Sequence, residues 1–260
     1  MLERRSAKIR LTRAFQGQAQ RLYPFFRQHT YRGPLLPSEV ESRVAVSLRD
    51  GFLYNRIPKT ANSLMTWMLA RASADAAGEP APERPKSYFP TPRRLSSGEA
   101  ARVEHEIFKF AIVRNPYSRT LSAYLDKIAA GKQQARTFEK WRGAPVQREE
   151  PSFGEFCRYL DAVGLRDDVH WVPQTELLCE VPGWFDRIYR QERLGEAAEE
   201  IMGRIFGVAP EFPARVGPRP TGASKLIARH YDDETRRIVA RLFAADFDAL
   251  GYAPDLPGAA

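Results

Sequence analysis

Cysteine is almost missing from this chain of 260 residues, with only Cys157 and Cys179 present. Two thiols exclude a disulfide framework and leave neither a cysteine-based zinc site nor a CxxC redox motif. A reducing compartment, most simply the cytoplasm, is the expectation that follows. Long apolar runs are missing too: no stretch of about 18 uncharged apolar residues exists, so neither a transmembrane helix nor a secretory h-region is expected. Acidic residues are scarce at one end. Residues 1–32 carry Arg4, Arg5, Lys8, Arg10, Arg13, Arg21, Arg27 and Arg32 against Glu3 alone, and so hold seven of the eight net positive charges. The remainder is nearly neutral, which argues against a basic stripe that tracks nucleic acid. What is present is ordinary for a soluble globular protein, with 43% hydrophobic and 28% charged residues and enough length for a substantial core.

In the basic arm, Leu11, Phe15, Ala19, Leu22 and Phe26 recur at helical spacing up to an interruption near Pro24. Such a helix suits an anionic membrane surface, an acidic polymer or its own domain, and its arginine-rich start also imitates a transit peptide. Residues 1–42 are read as a helical appendage, 43–252 as the main domain and 253–260 as a flexible tail. Arg43–Leu48 and Phe52–Ile57 flank Asp50-Gly51 and read as a hairpin. A helix follows with Leu64, Trp67 and Met68 on one face. The proline-rich stretch 76–92 reads as an exposed linker or lid, and 131–150 as a polar loop or partly ordered arm. Phe108–Val113 has the composition of a buried parallel strand, and Pro116 suits the first turn of the helix after it. Ser152 with Glu155 has the form of a capping box. WFDRIYR reads as a strand, and 232–250 as one long amphipathic helix. Alternation of strand and helix predicts an α/β fold with a central parallel sheet flanked by helices.

Two strand-to-helix junctions carry the chemistry. The first is Ile57-Pro58-Lys59-Thr60-Ala61-Asn62-Ser63, where unpaired amides at a helix start, a lysine and two hydroxyls suit a phosphate or sulfate. It lacks the glycines of a Walker loop, and a plain turn with a snorkelling lysine explains it equally well. The second is RNPYSRTLSAY, which puts Arg114 at a strand's carboxyl end and Arg119 and Ser122 three residues apart on a helix. Two such junctions on one sheet imply a ligand with two separated anionic groups.

At these residues the sequence resembles the sulfotransferases that use 3′-phosphoadenosine 5′-phosphosulfate (PAPS), in particular the carbohydrate branch that contains chondroitin and dermatan 4-sulfotransferases and bacterial relatives. PKTANS looks like that family's 5′-phosphosulfate loop, and FAIVRNPYSRTLSAY looks like its 3′-phosphate motif. DDVHWVPQTELL, FDRIYRQERL and IVARLFAADFDALGY also match, so the similarity runs from about Phe52 to Tyr252. The resemblance implies a P-loop NTPase-like sulfotransferase fold and transfer of a sulfuryl group to a carbohydrate or glycoconjugate hydroxyl, with no metal.

The resemblance also implies roles. Lys59 would bind the phosphosulfate and stabilise the leaving phosphate, while Thr60, Ala61, Asn62, Ser63 and Leu64 cradle the 5′-phosphate. Arg114 and Ser122 would hold the 3′-phosphate, with Arg119 either supporting them or pairing with a neighbouring acid. His170 is the first choice of general base and His105 the second; a structural histidine is the alternative for each. Trp141, Arg142, Trp171 and Trp184 suit either a sugar acceptor or core packing. The membrane anchor and paired cysteines of animal members are missing here, so a soluble cytoplasmic bacterial enzyme is expected, with residues 1–32 a candidate for contact with the inner membrane face. The rival readings are a nucleotide-dependent kinase and a non-enzymatic module that binds polyanions or membranes.

Overall fold

A computed structural model describes residues 15–256 apart from 17, 215 and 217–220. The chain divides into two compact units. The first comprises residues 1–57, 61–112 and 176–217, and the second 58–60, 113–175 and 218–260.

The first unit is built on a four-stranded sheet in the order β1-β2-β3-β4, formed by β1 (Val44–Ser47), β2 (Phe52–Asn55), β3 (Phe108–Val113) and β4 (Arg187–Arg190). β1 pairs antiparallel with β2 through the Asp50-Gly51 turn, where Gly51 takes a φ of 74°, and β2 pairs parallel with β3. The sheet is therefore mixed: the hairpin contributes an antiparallel edge to the expected parallel centre. Every residue of β3 is buried, as its unbroken apolar run requires. Phe52, Tyr54, Phe108 and Phe110 form one sheet face, and the Tyr54 and Phe110 rings stack with centroids 4.8 Å apart. Met65, Met68 and Leu69 of the helix Asn62–Ala76 and Ala198, Ile201 and Met202 of the helix Leu194–Phe206 pack against them. On the alternate face of β2, Asn55 donates to the carbonyl of Leu177 (3.1 Å) and accepts the N–H of Cys179 (2.8 Å).

Two expectations about this unit need correction. The proline-rich linker is not wholly exposed: Phe89 is buried against Phe52, with ring centroids 5.1 Å apart, and the carbonyl of Pro90 accepts the N–H of Val46. Prolines give up amide donors but keep their carbonyls, so the segment can still bond the free edge of β1. In the arm, the predicted apolar face is buried only in part. Its Phe15 and Leu22 are 73% and 79% exposed, whereas its Phe26 is buried together with Phe25, which lies outside that face. Tyr23 is extended before Pro24 (φ −97°, ψ 129°), and this resets the phase of the short helix α1 (Pro24–Gln28). Arg4, Arg5, Lys8, Arg10, Leu11 and Arg13 lie outside the described residues. His29 is buried between Phe25 and Trp184, with Glu104 at 3.2 Å and Glu180 at 3.3 Å from its ring nitrogens. Among the described residues, no helix is long and apolar enough to cross a membrane.

The second unit is helical. Its core gathers Tyr117 and Leu121 from α2 (Pro116–Ala123), Phe138 from α3 (Ala135–Arg142), Phe156 from α4 (Phe153–Tyr159), Ile227 from α5 (Ala223–His230), Val239 from α6 (Asp233–Leu242) and Phe247 from α7 (Ala244–Ala249). The capping box forms as expected, the Ser152 hydroxyl accepting the N–H of Glu155 and the Glu155 carboxylate accepting that of Ser152. The stretch read as a polar loop or partly ordered arm contains α3, anchored by Phe138 and by an ion pair between Arg142 and Glu155 (2.8 Å). The long C-terminal helix is instead two, broken at Phe243 (φ −110°, ψ 22°). Beyond the break Asp246 is buried, and its carboxylate accepts the main-chain N–H groups of Gln174 (2.7 Å) and Thr175 (2.9 Å).

Candidate active site

The first junction leaves β2 at Asn55 and re-enters helix at Asn62. Between them Lys59 (φ 73°) and Ala61 (φ 61°) adopt left-handed backbone conformations, the only non-glycine residues with positive φ among the described residues. Each such residue costs about 1–2 kcal/mol and persists only where surrounding contacts dictate it. The missing glycines thus do not mean an ordinary turn: the loop takes glycine-like conformations with a lysine and an alanine. Ala61 caps the helix start without a side-chain bond, so the amides of the first turn are not capped by that residue. Asn62 accepts from the Thr66 hydroxyl (3.0 Å), which fixes its amide along the helix.

Lys59 and Thr60 count with the second unit, and Thr60 is fully buried. The Lys59 ammonium lies 2.8 Å from Asp126 Oδ2. Burial lowers the Lys59 pKa, opposed by the hydrogen bond and charge of Asp126 and assisted by the charges of Lys127 and Arg114. Burial works to raise the Asp126 pKa, but hydrogen bonds from Lys132 and Lys59 outweigh it and hold the carboxyl well below the usual range.

The second junction meets the first here. Arg114 is buried and donates from Nη1 to the carbonyl of Lys59 (3.2 Å), from Nε to the Ser118 hydroxyl (2.9 Å) and from Nη2 to the Ser224 hydroxyl (3.0 Å). Its main chain is clamped by the buried side chain of Gln174, which accepts the Arg114 N–H (2.9 Å) and donates to its carbonyl (2.8 Å). Gln174 is in turn held at its own N–H by Asp246. Ser122 is buried and accepts from the Thr221 hydroxyl (3.1 Å). Arg114, Ser122, Thr221 and Ser224 therefore form one basic, hydroxyl-rich cluster near the start of α5.

Arg119 is 1% exposed and donates to three main-chain carbonyls: Pro58 (3.0 Å), Val172 (2.7 Å) and Val169 (3.4 Å). It ties the lysine-bearing loop to the segment that carries His170.

His170 is partly buried, and its Nδ1 lies 2.5 Å from Asp168 Oδ1, which also accepts the His170 main-chain N–H (2.9 Å). Burial works to raise the Asp168 pKa, but the hydrogen bonds from His170 prevail and lower it. An ionised carboxylate only accepts, so Nδ1 carries the proton and Nε2 of the neutral ring has the lone pair. His105 is exposed at the C-terminal end of the helix Ser97–His105. Trp171 is buried, stacks edge-on against Phe156 and donates to the carbonyl of Gly164 (2.9 Å), which makes it core. Sequence reasoning passed over Asp126, Asp168, Gln174, Thr221 and Ser224. Of these only Asp168 had a local signal, its position two residues before a histidine; the others act across long sequence separations.

The sequence profile of the sulfotransferase family matches residues 42–253. Among curated proteins, carbohydrate sulfotransferase 10 of Gallus gallus is 25% identical over 242 residues, covering 82% of this chain and 67% of its own length. Human carbohydrate sulfotransferase 14 is 32% identical over 166 residues, covering 58% of this chain and 43% of its own. Human carbohydrate sulfotransferase 10 is 26% identical over 252 residues, with 82% and 67% covered. The chain thus spans about two thirds of the two carbohydrate sulfotransferase 10 relatives and less than half of carbohydrate sulfotransferase 14. No solved structure matches it. With a family match across most of its length, this chain belongs to the sulfotransferase family and is a sulfuryl-transferring enzyme.

Proposed function

We propose that this enzyme takes a sulfuryl group from PAPS and places it on a hydroxyl of a carbohydrate or glycoconjugate. The observation that carries the reading is the hydrogen bond from Arg114 to the carbonyl of Lys59, which joins the two anion-binding junctions. The residues fit a donor with two anionic ends. The left-handed backbone at Lys59 and Ala61 and a buried ammonium suit one end; the Arg114, Ser122, Thr221 and Ser224 cluster suits the other.

When bound, PAPS supplies the sulfuryl group and a phosphate leaving group. Lys59 neutralises the negative charge that grows on that phosphate, and Thr60, Ala61, Asn62, Ser63 and Leu64 offer main-chain and hydroxyl donors beside it. Arg114 and Ser122 bind the 3′-phosphate, with Thr221 and Ser224 completing the set. Arg119 keeps the loop and the His170 segment in register. His170 accepts the proton of the acceptor hydroxyl at Nε2, and Asp168 holds the ring in the required tautomer and steadies the imidazolium that results. The carbohydrate class of acceptor is supported by the relatives' names. A reducing, cytoplasmic location is supported by Cys157 and Cys179, which are free, buried thiols whose pKa burial pushes up. Incubation with radiolabelled PAPS and a panel of unsulfated and partly sulfated polysaccharides tests the assignment. Label should pass to a carbohydrate with wild-type enzyme and not with Lys59→Ala; label that stays with the donor across the panel in both would refute it.

A further inference from the structure

Asp126 is a buried carboxylate on the second unit that the reaction scheme leaves without a task. It sits in a π-helical turn, Tyr124–Ile128, that continues α2, and the Ala129 N–H reaches back five residues to the carbonyl of Tyr124 (3.0 Å). Such turns are rare and recur at functional sites. Three ammonium groups converge on this one side chain: Lys59 at 2.8 Å and Lys127 at 3.3 Å from Oδ2, and Lys132 on Oδ1. Lys59 and Lys127 have side chains only 12% exposed, whereas that of Lys132 is 40% exposed.

We propose that Asp126 is a positioning residue for sulfuryl transfer: its carboxylate keeps the buried Lys59 ammonium charged and aligned, and Lys132 sets how much of that carboxylate is available. The argument is one of competition. Around Lys59, burial, Lys127 and Arg114 all favour the neutral amine, and Asp126, by hydrogen bond and by charge, favours the ammonium. A neutral amine cannot offset charge on a leaving phosphate. Without Asp126 the balance around Lys59 therefore moves toward the neutral amine. Lys132 bonds the opposite oxygen of the same carboxylate, so it drains negative charge from the pair and adds positive charge beside it. The inference rests on the assignment of Lys59 to catalysis.

The test is the pH dependence of acetylation of Lys59 by acetic anhydride, read by peptide mass spectrometry on the folded enzyme, alongside the pH profile of kcat. Only the neutral amine reacts, so the labelling midpoint reports the ammonium without reference to turnover. Asp126→Asn should lower that midpoint by about one to two pH units. Lys132→Gln should raise it, and Asp126→Glu should restore it toward the wild-type value. The alkaline limb of kcat should move with the labelling midpoint in each variant. An unchanged midpoint in Asp126→Asn, or shifts of the same sign in Asp126→Asn and Lys132→Gln, would overturn the proposal. If Asp126→Asn does not fold, Lys132→Gln decides alone, because its half-exposed side chain can be neutralised without opening the core, and a midpoint that stays put or falls refutes the idea. A midpoint that moves while the kcat profile stays fixed refutes the role of Lys59 in transfer and leaves the hold of Asp126 on the ammonium standing.

Discussion

Replacing Arg119 by methionine removes a guanidinium that is 1% exposed while keeping most of its apolar stem. Two of its hydrogen bonds are well formed, at 3.0 Å to Pro58 and 2.7 Å to Val172, and the third, to Val169, is at the limit at 3.4 Å. A hydrogen bond to a charged donor contributes about 1.5–3 kcal/mol, so the two strong ones sum to about 3–6 kcal/mol. Removing the charge recovers part of its desolvation cost, which brings the expected loss to about 3 kcal/mol. For a chain of this size that lowers Tm by about 6–12 °C. Urea unfolding followed by circular dichroism measures the first quantity and calorimetric melting the second. Lysine at 119 should restore stability only in part, because a single ammonium cannot span carbonyls from two segments. Since Arg119 braces the loop before Lys59 and both flanks of His170, Arg119→Met should also lower kcat more than it weakens binding of adenosine 3′,5′-bisphosphate. A stability loss under about 1 kcal/mol would refute the reasoning, since it would mean that the three carbonyls are satisfied equally well without the guanidinium.

Three other outcomes follow from the same geometry. His170→Ala should reduce kcat by about 10²–10⁴ with bisphosphate affinity unchanged, as steady-state turnover and calorimetry would read it. Asp168→Asn should lower kcat as well, because an amide in place of the carboxylate no longer fixes the proton on Nδ1; turnover equal to wild type would remove Asp168 from the reaction. In the N-terminal arm, Phe25→Ala should destabilise the protein by about 3–5 kcal/mol, whereas Leu22→Ala should stay within about 0.5 kcal/mol, and chemical denaturation of the two variants distinguishes the observed phase of the helix from the one its periodicity suggests.

Much of the site was legible because its residues lie in two short segments whose local chemistry is self-contained. β3 is an uninterrupted apolar run, Pro116 sits in the first turn of α2, and Asn115 caps that helix by accepting the N–H groups of Tyr117 and Ser118. Local signals failed where a distant partner decides the outcome. The helix α3 reads as polar because only Ala135 and Phe138 turn inward. Phe89 is buried by the sheet face it meets, which prolines on either side cannot announce. The break at Phe243 goes with Asp246 reaching Gln174, some 72 residues away in sequence, and through it the main chain of Arg114. Thr221 and Ser224 lie in a stretch with little periodicity and reach Ser122 and Arg114 from about a hundred residues away. The absence of glycine at Lys59 and Ala61 was informative about motif type and silent about conformation, because tertiary contacts can impose a left-handed backbone on any residue at a cost.

The central claim is that the two joined junctions recognise a nucleotide phosphorylated at both its 3′ and 5′ positions. Isothermal titration of the purified protein with adenosine 3′,5′-bisphosphate, with AMP as control and in wild type and Arg114→Ala, tests it most directly. The account predicts micromolar binding of the bisphosphate by wild type, little binding of AMP, and loss of the difference in Arg114→Ala. Equal affinity of wild type for the bisphosphate and AMP would contradict it.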